Sequence, residues 1–385
     1  MNVWIVDPRN YTPYYDYSLC KALRDAGCNV RWITRPYIYD KIENRDNLII
    51  DNDFGSSIPS PTWLSWGPFD RFMAPWAYLL SVIKFIRKIR RDSPDIVHIQ
   101  WAAMPLVDLI LFRTLKSLPA HLVYTVHNVL PHEVYRWHFA IYKHLYASAD
   151  QLIVHSAWAA SELSSQFGIS RDKMTVIPQG NLFDFAEFIP KHQAQNQLDL
   201  SSRRVILFFG ILRPYKGLRY LLQALPLVRE SVPNIHLLLV GHIHRNDQLD
   251  RYRSLIRDLG VEGAVSLHTA FVPYNQLGIY FGAADVVALP YLETTDSAVI
   301  PTAYTFGRPV ITTNVGGLPE TVESGESGLL IPPCDVGALT RALVELLTDS
   351  DRCSRMGQSA LRLAQTRHEW HSIAITTLKV YHSLL

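Results

Sequence analysis

Short runs of Val, Ile, Leu and Phe recur along the whole chain, and between them lie longer stretches whose apolar residues keep helical spacing. Runs apolar at successive positions suit strands covered on both faces, and strands separated by helices pair in parallel. In the first half the strands fall at 3–6, 30–34, 96–100, 122–125, 151–155 and 175–177. In the second half they fall at 205–209, 236–240, 265–268, 286–290, 310–313 and 328–331. The two sets predict two parallel α/β domains. Residues 1–183 form the first and 203–365 the second, with a polar, Gln-rich linker at 184–202 and a C-terminal helix at 366–385.

A chain of 385 residues has room for two such cores, and an apolar fraction of 48% fits a globular protein. No uninterrupted apolar run of about 20 residues occurs, so a spanning helix is not expected. The opening MNVWIVDPRN reads as a buried first strand rather than a signal peptide. Cys20, Cys28, Cys334 and Cys353 are scattered without metal-ligand spacing, which predicts reduced thiols and a cytoplasmic setting. A net charge of +2 gives no ground for a nucleic-acid partner.

Two loops carry the chemistry. The first follows the strand at 205–209: Gly210, Arg213, Lys216 and Gly217 come in quick succession before a helix. Glycine lets the backbone approach a ligand closely, while Arg and Lys offer a fork and a point charge to a diphosphate. The alternative is an ordinary surface loop with solvated cations. The second loop lies in the segment 291–332, YLETTDSAVIPTAYTFGRPVITTNVGGLPETVESGESGLLIPP, where Thr294–Thr295–Asp296–Ser297–Ala298 opens into a helix at about 300–306. Unpaired amide N–H groups at a helix start suit phosphate. The pairing of the loops favours a site for a sugar nucleotide.

The blocks FGILRPYKG, LLLVGH, AADVVALPY, FGRPVITTNVGGLPE and ESGLLIPP, with DIVHIQW, YTVHNVLPHE and ADQLIVHS in the first half, resemble the family 4 retaining glycosyltransferases of the GT-B fold. The resemblance covers most of residues 95–333. It implies two facing Rossmann-like domains with an interdomain cleft, and a C-terminal helix that crosses back to the N-terminal domain. Arg213 and Lys216 would bind the diphosphate of a UDP- or GDP-sugar. Ser297, Ala298 and Val299 would hold phosphate and sugar hydroxyls through their backbone. His127, after its strand, would face the donor sugar. The product would form with retention, with no metal or other cofactor, because the cations and helix dipoles neutralise the leaving diphosphate.

Departures from the family pattern are as informative. Of the two glutamates usually spaced seven apart, Glu293 stands for the first with its register shifted by one, and Thr302 replaces the ribose-binding second. A Thr accepts more weakly than a carboxylate, and Asp296 is the extra acid in the same loop. Where the acceptor-side Gly-Gly turn would lie, the chain reads PRNYTPYYDYSLC, and Tyr11, Tyr14 and Tyr15 offer an aromatic wall for a sugar ring. Glu133 and His132 are either acceptor contacts or solvated loop. His98, His155, His236 and His268 lie in or beside strands and read as core or rim residues.

Lys84, Arg87, Lys88 and Arg91 share one face of a helix, with Trp76, Leu79, Leu80, Ile83 and Ile86 expected mostly on another. Two readings stand: peripheral docking on anionic lipid at the inner face of a membrane, or a packed helix with a solvated basic face. The expected function is transfer of a hexose-type sugar to a glycan or lipid-linked acceptor. An epimerase of the same fold and a degenerate sugar-nucleotide-binding protein are the alternatives.

Overall fold

A computed structural model of the chain describes residues 1–37, 40, 42–54, 68–131, 136–243 and 246–385, without side chains at 68–72, 136 and 246–248. The chain divides into two compact units, residues 1–178 with 370–385, and residues 179–369.

The first unit holds a seven-stranded sheet: β1 (Asn2–Val6), β2 (Asn29–Ile33), β3 (Ile49–Asp51), β4 (Ile96–Ile99), β5 (His121–Val126), β6 (Gln151–Val154) and β7 (Met174–Val176). Its order is β3-β2-β1-β4-β5-β6-β7, with every pair parallel. One face packs Trp4, Val6, Val97, Ile99 and Tyr124 against Phe85, Phe112 and Tyr146 from the covering helices. On another side the helix Pro13–Asp25 lies against the helix Trp370–His382. The C-terminal helix therefore returns to the N-terminal unit, as expected. β3, an edge strand of only three residues (Ile-Ile-Asp), is the one strand among the described residues that the periodicity did not reveal.

The second unit holds a six-stranded parallel sheet: β8 (Arg204–Phe209), β9 (Ile235–Val240), β10 (Val265–His268), β11 (Val286–Leu289), β12 (Val310–Thr313) and β13 (Gly328–Ile331). The order is β10-β9-β8-β11-β12-β13. Alternate residues of β8 feed separate layers. Ile206 and Phe208 join the core under the helices Leu218–Ser231 and Val336–Thr348, while Val205 and Leu207 pack with Phe281, Ile300 and Tyr304. β9 is buried at all six positions, which explains the apolar run 237–240, while His236 within it is paired with the Ser266 hydroxyl at 2.9 Å.

The segment 184–202, expected as the linker between the two domains, lies within the second unit. It contains the helix Lys191–Gln197, packed on the helix Leu277–Ala283. Glycines at 278 and 282 admit it: a Cβ at Gly278 would lie 1.8 Å from the Glu187 carbonyl oxygen, and one at Gly282 2.9 Å from that of Ile189. Lys191 pairs with buried Asp285 at 2.5 Å, and the Gln195 amide donates to the Ala283 carbonyl. Polar anchors hold this helix, so no apolar period marked it in the sequence. Among the described residues no helix is long and apolar enough to cross a membrane.

Candidate functional site

The second sheet reverses its strand order between β8 and β11, and ligands of open parallel sheets settle outside the C-terminal strand ends at such a switch point. Both loops singled out above leave the sheet there. β8 runs into Gly210, whose φ of +110° favours glycine. A side chain at 210 would also collide with the lysine, since a Cβ there would lie 2.5 Å from Lys216 Nζ and 3.8 Å from a methyl of Val299. Lys216 and the start of the helix Val299–Thr305 thus converge on one glycine.

Lys216 is buried, with Nζ 5.3 Å from the centre of the Tyr291 ring. Burial pushes its pKa down, and the nearby Arg213 guanidinium adds to that shift. Among the described residues no carboxylate is ion-paired with Lys216 or Arg213. A buried cation without an acid is costly unless a ligand supplies the anion.

Hydrogen bonds bind the second loop to the first. Leu292 N–H donates to the Tyr215 carbonyl at 2.7 Å, and the Thr313 hydroxyl donates to the Tyr291 carbonyl at 2.6 Å. Gly317 N–H donates to the Thr295 carbonyl at 3.0 Å. Gly316, at φ +56°, packs on Thr294, so the Gly-Gly turn serves to hold this loop. Ala298 and Val299 open the helix with no side-chain cap. The helix has only seven residues, so its unbonded amides rather than a long dipole are what it offers an anion.

Asp296 accepts from its neighbour Ser297 N–H at 2.7 Å and from the Gln179 amide at 3.2 Å. Burial raises its pKa to about 7, against the opposing pull of these bonds and of Arg367. Ser297 is buried, its hydroxyl 3.3 Å from the Tyr291 hydroxyl. Glu293 is exposed. Thr302 donates its hydroxyl to the Ala298 carbonyl at 2.8 Å, so only its lone pairs are left for a ribose. Gln179 and Arg367 were not singled out in the sequence, because they reach this loop from far along the chain and belong to no local pattern.

The first sheet has its own switch point, between β1 and β4. His127, after β5, is buried there and sits in a hydrogen-bonded row. His155 Nδ1 lies 2.9 Å from the Ile177 carbonyl, His155 Nε2 lies 3.0 Å from His127 Nδ1, and His127 Nε2 lies 3.2 Å from Gln100 Oε1. Gln100 Nε2 continues to His98 Nε2, and His98 Nδ1 reaches the Tyr381 hydroxyl at 2.6 Å. A carbonyl only accepts, so His155 donates from Nδ1 and, when neutral, accepts at Nε2 from His127 Nδ1–H. Burial pushes His127 well below the usual imidazole range, His155 to about 4 and His98 to about 3, so the row is neutral near pH 7. Neutral His127 then accepts at Nε2, which the Gln100 amide satisfies when turned with its N–H toward the ring.

Both ring nitrogens of His127 are therefore committed inside the protein. Its ring stacks on Trp101 at 4.6 Å and meets Tyr15 edge-on at 5.1 Å. His98 and His155 are indeed buried, yet as parts of this row rather than as inert core. Of the expected aromatic wall, Tyr11 is exposed and lies 5.3 Å from Trp101, while Tyr15 also touches Trp370. Tyr14 is buried, its hydroxyl donating to Asp40 at 2.5 Å, and so does not join the wall; Trp101 takes its place. Glu133 and His132 lie outside the described residues. Among the described residues no three His, Cys, Asp or Glu side chains cluster as metal ligands.

Two parallel α/β units, the second with a cationic loop and an amide-rich loop at its switch point, define a GT-B glycosyltransferase. Residues 203–349 match the family described as glycosyl transferases group 1, and residues 15–180 match glycosyltransferase family 4. The chain is 29% identical over 323 residues to a D-inositol 3-phosphate glycosyltransferase of Corynebacterium aurimucosum, covering 79% of this chain and 75% of that one. It is 32% identical to its Corynebacterium urealyticum counterpart, over 62% of this chain and 57% of that one. Among solved structures, sucrose-phosphate synthase from Thermosynechococcus elongatus shares the fold with a TM-score of 0.79 at 22% identity, covering 100% of this chain and 99% of that one. Anabaena HepE, solved with UDP-glucose, does so with a TM-score of 0.78 at 18% identity, covering both chains fully. The chain belongs to the family 4 glycosyltransferases.

Proposed function

We propose that this glycosyltransferase moves a hexose-type sugar from a UDP- or GDP-sugar to a glycan or lipid-linked acceptor, with retention and without a metal. The observation that carries the donor reading is Lys216: buried, without an acid partner among the described residues, and packed on the same glycine as the first residue of the Val299–Thr305 helix. Lys216 and Arg213 supply the positive charge that a departing diphosphate needs. The UDP-glucose bound to HepE agrees with such a donor, and the name of the corynebacterial relatives with glycosyl transfer. Glu293 and Asp296 are the acids nearest in sequence to the sugar and ribose roles.

Thermal-shift screening of UDP-, GDP- and ADP-sugars tests this reading. One donor is expected to stabilise the protein, by about 2.7 kcal/mol at a hundred times its dissociation constant. The stabilising sugar nucleotide should then be consumed only with an acceptor, its anomer retained by NMR and its turnover unchanged by EDTA. Product formed without acceptor would point to an epimerase instead.

A lipid surface is the proposed location, at the cytoplasmic face of a membrane, and the helix Pro68–Asp92 supports it. Among its exposed positions Met73, Trp76, Leu80, Lys84, Arg87 and Arg91 are spaced by three or four residues and form one stripe, with Pro75, Arg90 and Asp92 exposed beside it. Trp76 and Leu80 thus share the outward stripe with the cations instead of lying on another face. Lys88 is tied to Asp51 and Asp53 at 2.8 and 2.7 Å and Arg91 to Asp92 at 2.6 Å, which leaves Lys84 and Arg87 as the cations of the stripe. Exposed Leu106 and Ile110 extend the apolar end on the neighbouring helix Pro105–Leu115. A stripe apolar at one end and cationic at the other suits insertion of Trp76 beside anionic headgroups, with each cation worth about 1 kcal/mol. Flotation with anionic vesicles is expected to carry the protein up, and Trp76→Ala with Arg87→Glu to leave it at the bottom. Equal flotation of wild type and variant would refute the docking.

A further inference from the structure

The corynebacterial relatives are named for a phosphorylated acceptor, yet the first unit's switch point already holds an anion of its own. Asp7, at the end of β1, is fully buried and accepts from Arg9 N–H at 3.1 Å, Tyr11 N–H at 2.6 Å and Thr12 N–H at 3.3 Å. These amides, ahead of the helix Pro13–Asp25, are the donors an incoming phosphate would need. A second carboxyl, Asp16, is equally buried, and the Thr12 hydroxyl beside it only partly offsets that burial. Burial and the adjoining Asp7 raise its pKa well above the usual range, while burial raises Asp7 too against the pull of its three amides, so the proton of the pair rests on Asp16 rather than Asp7. Asp7 thus takes the amides that the start of the helix would otherwise offer a ligand's charge.

The cation of this loop is spoken for as well. Arg9 donates to the Tyr11 hydroxyl at 2.9 Å and lies over that ring at 5.6 Å. Its charge also acts on Asp108, opposing the burial that raises that carboxyl to about 7. What remains open is aromatic. Tyr11 is 46% exposed beside Trp101, whose indole N–H donates to the Thr12 hydroxyl at 3.0 Å, so both rings are held in place.

We propose that this switch point takes an uncharged sugar or polyol ring against Tyr11 and Trp101, and that the Asp7–Asp16 pair excludes acceptors bearing phosphate beside the reacting ring. The inference rests on the glycosyltransferase reading and specifies its acceptor. A sugar's C–H face packs on an aromatic ring without losing solvated charge, whereas a phosphate here would meet a buried carboxylate in place of free amides.

Saturation-transfer NMR on the full chain with matched probes tests it: methyl α-glucoside against glucose 6-phosphate, and myo-inositol against inositol 1-phosphate. The neutral member of at least one pair is expected to bind about tenfold or more tightly than its phosphate. Tyr11→Ala should abolish the ring-face signal, and Asp7→Asn should narrow the discrimination. If Asp7→Asn does not fold, the wild-type pairs and Tyr11→Ala decide alone. Tighter or equal binding of the phosphates, or no binding of either neutral probe, overturns the proposal. Stabilisation by a nucleoside diphosphate, measured alongside, separates the two readings. Its presence with phosphate preferred sinks only the acceptor inference, while its absence sinks the donor reading itself.

Discussion

Lys216→Met is expected to reduce turnover by roughly 10²–10³-fold while leaving the thermal midpoint unchanged or slightly higher. The two effects have opposite signs for one reason. In the free protein the ammonium is buried with no acid ion-paired to it, so its charge is a cost that Met removes while keeping most of the alkyl packing. On the proposed donor reading, the same charge faces a leaving diphosphate in the transition state, and there its loss is felt in full. Turnover and the thermal midpoint, measured on the same preparation, check this. Wild-type turnover would remove Lys216 from the donor site, and a large loss of stability would make it a structural lysine.

Gly217→Ala is expected to cost about 3 kcal/mol, and with it the donor site. Gly217 ends the loop that carries Lys216 at φ +69°, and a Cβ there would lie 1.8 Å from the Pro290 carbonyl oxygen. Neither partner is a flexible side chain; relief requires the β8 and β11 loops to separate, which breaks the Leu292–Tyr215 hydrogen bond between them. Gly260→Ala is the control. Its φ of +63° is nearly the same, but nothing lies within 4 Å of the added carbon, so only the left-handed strain of about 1 kcal/mol is expected. Urea midpoints of the two variants, read with nucleoside diphosphate binding, should differ accordingly. Equal midpoints would show that the close approach to Pro290 yields cheaply.

Twelve of the thirteen strands among the described residues were legible because parallel strands buried on both faces leave short apolar runs, as 237–240 of the fully buried β9 show. β3 was not, being three residues long with no buried position. The loops of Lys216 and Val299 were readable because glycines, cations and a helix start are local signals. Trp101 was missed because it meets Tyr11 only once β1 and β4 are neighbours. Tyr14 was misjudged for a related reason: it and Tyr15 are successive residues of one helix and cannot share a face, and Tyr14 turns inward to Asp40.

By itself the sequence determined the strand–helix alternation, the two units and the family, since each is written in local periodicity and in short ordered motifs. Only the tertiary structure decided which side chains share an electrostatic environment. It set Asp16 beside Asp7, joined His155, His127, Gln100 and His98 into a row ending on Tyr381, and brought Gln179 to Asp296. Periodicity reports whether a residue faces inward. A buried charge or proton depends instead on which partner, often more than a hundred residues away, the folded sheet places within 3 Å or so of it.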